Sequence, residues 1–207
     1  MTCYELVYFD FYFRAEPIRQ CLAYGGIKYK DTRVTLSDWP ALKKSPKIPY
    51  GTLPVLYISG KPLCESHTIT RYVAEVTGLD GEGDLLEVAR LDQIYELCRE
   101  FQEATQPYFF ALNGLNKEDP AKLKSEVFLP AVDKYFPKIL SELQPNYIFG
   151  KGKISYVDLY WANIIEFYKR TARDVIEKYP QFMEHERLIK AVPKLQQYFA
   201  TRPKCPF

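Results

Sequence analysis

A chain of 207 residues, 47% hydrophobic and 26% charged, has room for one large globular domain or two small ones with a real core. Its net charge of +2, with no basic run, argues against a nucleic-acid partner, and no apolar stretch reaches the ~20 residues of a membrane-spanning helix. Two histidines, His67 and His185, are too few for a three-histidine zinc site, and five cysteines (3, 21, 64, 98 and 205) without a CxxC pair point to reduced thiols and a cytoplasmic address.

The opening MTCYELVYFD alternates and carries acids early, so it reads as a strand and not as a signal peptide. Residues 14–24 predict a helix, with Pro17 in its first turn and Gly25 and Gly26 at its end. Residues 27–34 predict a second strand, parallel to the first because a helix intervenes. After a loop rich in Pro and Lys, residues 54–58 form the strongest strand signal. Ser59 and Gly60 mark a tight hairpin into residues 61–63. A closing helix over residues 66–76 follows from Ile69, Tyr72, Val73 and Val76 at helical spacing, with Gly78 as the stop.

From about residue 85 strand signals vanish. Residues 85–110 predict one long helix, and Asp119-Pro120 opens another to about Leu143, bent at Pro130 and Pro137. Ser155 and Asp158 make a capping box for a third helix, with Ile154 as a staple against Leu159, and Pro180 and Pro193 open two shorter ones. The predicted fold is an α/β thioredoxin-like domain of order β-α-β-α-β-β-α over residues 1–79. An all-α domain follows over residues 85–207, and residues 78–84 are the linker.

The segments YELVYFDFYFRAEPIR, DWPALK, PYGTLPVL, CESHTITRYVAE and GKISYVDLYWAN stand in the order and spacing of sigma-class glutathione transferases. The chain resembles that family, its invertebrate members especially, over nearly its whole length. The resemblance implies a cytoplasmic homodimeric enzyme that joins the glutathione thiol to hydrophobic electrophiles or lets it reduce a peroxide, with glutathione as co-substrate and no metal. It implies that Tyr8 donates its hydroxyl to the sulfur and lowers the thiol pKa, with Arg14 adding positive charge. It assigns Trp39 and Lys43 to the glycine carboxylate, although a Trp at the core edge beside a surface Lys is the plain alternative. Gly51, Thr52, Leu53 and Pro54 would form the loop whose backbone pairs with the cysteinyl part of glutathione, through a cis Leu53-Pro54 bond.

Glu65 and Ser66 would take the γ-glutamyl end. Ser66 also suits an N-cap, and Glu65 replaces the Gln more usual in the class, so that it suits the ligand's ammonium. Glu100, with Glu96 as rival, would reach the partner subunit's glutathione, and Tyr50 would plug into the partner's second domain. The chain departs from the class where Asp10-Phe11-Tyr12-Phe13 replaces a small Gly-containing turn. These rings predict a narrowed aromatic electrophile pocket shared by Phe9, Phe13 and Tyr108. Other readings are a glutathione-dependent prostaglandin isomerase and a non-catalytic binder of haem or other apolar ligands. A thioredoxin-type reductase is disfavoured, since no Cys stands near residues 11–14.

Overall fold

The computed structural model describes residues 2–81, 84–145, 147–148 and 152–205. Glu82 and Gly83 of the expected linker therefore lie outside the described residues. The elements of the first half are β1 (Tyr4–Phe9), α1 (Glu16–Tyr24), β2 (Tyr29–Val34), α2 (Trp39–Leu42), β3 (Val55–Ile58), β4 (Lys61–Cys64) and α3 (Ser66–Thr77). The strands form one sheet in the order β2-β1-β3-β4, with β1 parallel to β2 and the other pairings antiparallel. This is the expected thioredoxin-like plan.

The alternation of β1 sends Leu6 and Tyr8 to one face and Val7 and Phe9 to the other. On the Tyr8 face lies α1, which packs against α3 with Ile18, Leu22, Ile69 and Val73 buried. The opposite face gathers Val7, Val34, Ile48 and Val55, with Phe9, Trp39 and Leu42 partly buried against them. Ser59 and Gly60 both have positive φ, 48° and 84°, as a two-residue hairpin turn requires. Gly78, at φ 69°, ends α3 in the left-handed conformation that costs glycine least.

Two starts differ from expectation. The stretch before α1 is a 3-10 turn, Phe13–Ala15, so the α-helix begins at Glu16 and not at Arg14. At α3 the N-cap position belongs to Glu65, at φ 69°, and Ser66 is the first helical residue. No side chain caps this helix start.

The remaining helices are α4 (Leu85–Ala104), α5 (Gln106–Leu112), α6 (Pro120–Leu123), α7 (Leu129–Glu142), α8 (Tyr156–Thr171), α9 (Arg173–Ile176), α10 (Pro180–Lys190) and α11 (Pro193–Thr201). The long helix expected over residues 85–110 is broken at Thr105. Pro107 has no N–H to continue the ladder, and the Thr105 hydroxyl bonds back to the carbonyls of Phe101 (2.8 Å) and Gln102 (3.3 Å). The next helix is interrupted by a π turn at Lys124–Phe128, directly ahead of Pro130, while Pro137 is absorbed inside α7.

The chain divides into two units, Met1–Glu82 with Lys190–Phe207, and Gly83–Ile189. By its contacts, α11 and the residues after it group with the first unit, where α11 packs on α1. The second unit is built around Phe101, whose ring meets Phe128, Phe136, Trp161 and Tyr168 at centroid distances of 5.1–6.3 Å. The Ser155–Asp158 capping box opens α8 as expected, and it does more than cap. The fully buried Asp158 carboxylate accepts from the backbone N–H of Ser155 and of Ile148, both at 2.7 Å, and lies 2.9 Å from His185 Nε2.

Removing that carboxylate strands several buried donors at once, each costing about 1–3 kcal/mol. Asp158→Ala should therefore destabilise the second unit by about 3 kcal/mol or more. Urea unfolding followed by tryptophan fluorescence, to which the buried Trp161 of this unit contributes, would measure it.

Candidate active site

Tyr8 stands one residue from the end of β1, and only 3% of its surface is exposed. Burial pushes its phenol up to about 12 from the ordinary 10.0. The Arg14 charge, the Arg14 backbone N–H as donor, and the Arg19 charge pull the other way without prevailing. The Arg19 guanidinium carbon lies 5.9 Å from the centre of the Tyr8 ring. A phenol in this state keeps its proton throughout the neutral range. It is a hydrogen-bond donor flanked by positive charge, which suits an anion, and it is no general base.

The loop that follows distributes its aromatic rings separately. Phe11 packs against Phe9 at 5.7 Å. Tyr12 is buried, and its hydroxyl donates to the Pro203 carbonyl at 2.8 Å. Phe13 adopts φ 24°, outside the usual range for a residue with a Cβ, and its ring lies 5.4 Å from the Arg14 guanidinium carbon. Phe9 stacks edge-on against Trp39 at 5.2 Å. It belongs to the face of β1 opposite Tyr8.

A second group assembles around the loop before β3. Trp39 and Lys43 share one face of the short α2 turn, with Lys43 Nζ 6.0 Å from the Trp39 ring. Gly51 has φ 63°, and Lys43 Cε lies 3.5 Å from where a Cβ on Gly51 would sit, so the lysine stem runs over this turn. Thr52 is exposed, Leu53 half-buried and Pro54 buried, and the Leu53-Pro54 peptide bond is cis. Just beyond β4, Glu65 is exposed in its left-handed conformation, and Ser66 is 6% exposed at the head of α3. A helix start of twelve residues without a side-chain cap offers N–H groups to a carboxylate.

Glu100 and Tyr108 belong to the second unit. Glu100 is exposed on α4, whereas Glu96 is engaged by Arg99, which also reaches Glu103 at 2.6 Å. Tyr108 is 2% exposed, with Phe128 at 4.9 Å and Tyr168 stacked at 6.3 Å. The sequence reading missed Arg19. The one signal it left is a cation inside the apolar stripe of α1, between Ile18 and Cys21 and Leu22, all fully buried. Among the described residues no three His, Cys, Asp or Glu side chains come together as metal ligands.

Two family models match the chain, that of the glutathione S-transferase N-terminal domain over residues 4–75 and that of the C-terminal domain over residues 99–202. The chain belongs to the glutathione S-transferase family. It is 32% identical over 213 residues to the probable glutathione S-transferase 5 of Caenorhabditis elegans, covering 100% of both chains. To the hematopoietic prostaglandin D synthase of Gallus gallus it is 30% identical, covering 99% of this chain and 98% of that one. Among solved structures, a Nu-class transferase from Haemonchus contortus shares 34% identity over 100% of both chains at a TM-score of 0.85. A monomeric transferase from the hookworm Necator americanus shares 32%, over 99% of this chain and 100% of that one, at 0.90. This member of the family is a glutathione transferase, with glutathione as its co-substrate.

The raised Tyr8 pKa has a measurable consequence. The unfolded phenol ionises near 10.0 and the folded one near 12. The folded state therefore holds that proton more tightly, and stability falls as pH rises through this window. A difference ultraviolet titration of wild type against Tyr8→Phe should show one phenol ionising near 12. Ionisation near 10 would contradict the burial argument.

Proposed function

We propose that Tyr8 activates the glutathione thiol by donating its hydroxyl hydrogen bond to the thiolate, with Arg14 adding positive charge from the adjoining turn. The observation that carries this reading is the burial of the phenol, which keeps the proton on Tyr8 and so makes it a donor. In this reading the tripeptide lies along the first unit. Trp39 and Lys43 grip its glycine carboxylate, the backbone around Leu53 pairs with its cysteinyl part between Gly51, Thr52 and Pro54, and Ser66 with the α3 N-terminus holds the γ-glutamyl carboxylate. Glu65 faces the α-ammonium. Glu100, left unengaged by Arg99, is the acid that reaches the partner's glutathione. Phe9, Phe13 and Tyr108 meet the electrophile, and Phe9 also packs edge-on against Trp39.

Catalysis then needs only alignment and a lowered thiol pKa. A drop of about two units carries the thiol from a few per cent thiolate to mostly thiolate at neutral pH. We assign the chain to the sigma class on the quoted motifs, and infer a cytoplasmic location from the free cysteines. Tyr8→Phe should lower kcat/KM for an aryl halide by about 100-fold near neutral pH, with glutathione affinity changed less than about threefold. Loss of affinity together with turnover would sink the assignment.

The homodimer is part of the same proposal. It is supported by Tyr50, an aromatic residue 69% exposed on the loop before β3. Light scattering at micromolar concentration should give twice the chain mass, and Tyr50→Ala should shift the population toward monomer. A monomeric wild type, like the hookworm relative, would refute it.

A further inference from the structure

Residues 10–14 connect Tyr8 to α1, and they contain Phe13 at φ 24°. A non-glycine residue in that conformation persists only where its surroundings impose it. The restraint comes from two directions. From within the sheet and α1, Arg33 Nη1 pairs with Asp10 Oδ1 at 2.7 Å, and Arg19 Nη1 donates to the Phe11 carbonyl at 2.7 Å. From the other end of the sequence, the Tyr12 hydroxyl donates to the Pro203 carbonyl at 2.8 Å. The Arg202 guanidinium carbon stacks 4.3 Å from the centre of the Tyr12 ring, and Arg33 Nη1 also donates to Cys205 Sγ at 3.0 Å.

The same tail is fastened to the start of α1. Arg202 Nη1 pairs with the fully buried Glu16 at 2.6 Å, and the Tyr198 hydroxyl donates to Glu16 at 2.9 Å. Glu16 in turn donates its backbone N–H to the Tyr12 carbonyl at 2.9 Å. Every one of these contacts lies within the first unit.

We propose that residues 198–205 are a positioning strap for the reaction, with Tyr12, Arg202 and Pro203 holding the 10–14 loop so that Arg14 and its backbone N–H face the Tyr8 hydroxyl. The strap touches no substrate. It acts on turnover through the electrostatic environment of Tyr8, and so through the pKa of bound glutathione. Loosening it lets Phe13 relax to an ordinary backbone conformation and draws Arg14 away, which weakens stabilisation of the thiolate without removing the tripeptide's own contacts.

This inference rests on the assignment of Tyr8 and Arg14 above, and the test separates the two. Wild type, Tyr8→Phe, Tyr12→Phe and a chain ending at Arg202 are compared by the acid limb of kcat/KM against pH and by the thiolate ultraviolet absorbance of bound glutathione. The strap predicts that the limb rises by about half a unit in Tyr12→Phe and about one unit in the shortened chain, with glutathione affinity changed less than about twofold. Lys194→Ala, which removes the ammonium 4.2 Å from the Tyr24 ring at the start of α11 and none of the strap's contacts, should leave the limb in place. A limb unmoved in Tyr12→Phe while Tyr8→Phe moves it would overturn the strap alone. A limb unmoved in Tyr8→Phe would overturn the reading of Tyr8. Tyr12→Phe removes a single hydroxyl, so this comparison stands even if the shortened chain fails to fold.

Discussion

Tyr8 stands next to the last residue of a central strand with its side chain withdrawn from water, and there the desolvation of a phenolate outweighs the pull of Arg14 and Arg19. In the proposed mechanism this balance governs the chemistry of the first unit. With less burial, two guanidinium groups would draw the phenol toward ionisation, and a phenolate would repel a thiolate. With less positive charge, the same donor would sit in a medium hostile to any anion. Only a neutral donor beside cations favours the charged form of a bound thiol.

The cations that matter are themselves costly to place. Arg19 and Glu16 are both fully buried one turn apart on α1, with side-chain atoms 3.7 Å from one another. Neither relies on the other alone. Arg19 Nε pairs with Asp31 on β2 at 3.2 Å, and Glu16 takes Arg202 and Tyr198 from the end of the chain. Buried ion pairs of this kind add little net stability over apolar packing, but removing one partner is expensive. They fix one arrangement of β1, β2, α1 and the terminal segment, and that arrangement carries the loop beside Tyr8.

The second unit solves a different problem. Its core is a continuous set of rings about Phe101 and Trp161, non-directional in energy but edge-to-face in geometry. Asp158 adds the directional element that rings lack. It joins the head of α8 to Ile148 and to His185 on α10, so a helix cap and a tertiary clamp share one carboxylate.

Periodicity and punctuation alone determined most of the first unit. Alternation in β1, the glycines after α1 and α3, and Ser59 with Gly60 between β3 and β4 are local requirements of the backbone, so they can be read locally. The Ser155–Asp158 box was legible for the same reason, and the family was legible through the order of its motifs. Helix ends were less so. Thr105 and the π turn before Pro130 depend on which hydrogen bond a backbone group finds once neighbours arrive, and the cap at α3 fell on Glu65 because the chain there turns left-handed. Only the tertiary structure decided that Phe9 supports Trp39, that a buried Arg19 lies under Tyr8, and that the last residues of the chain return to the first loop. Those outcomes rest on contacts between residues up to 195 positions apart, and no local spacing encodes them.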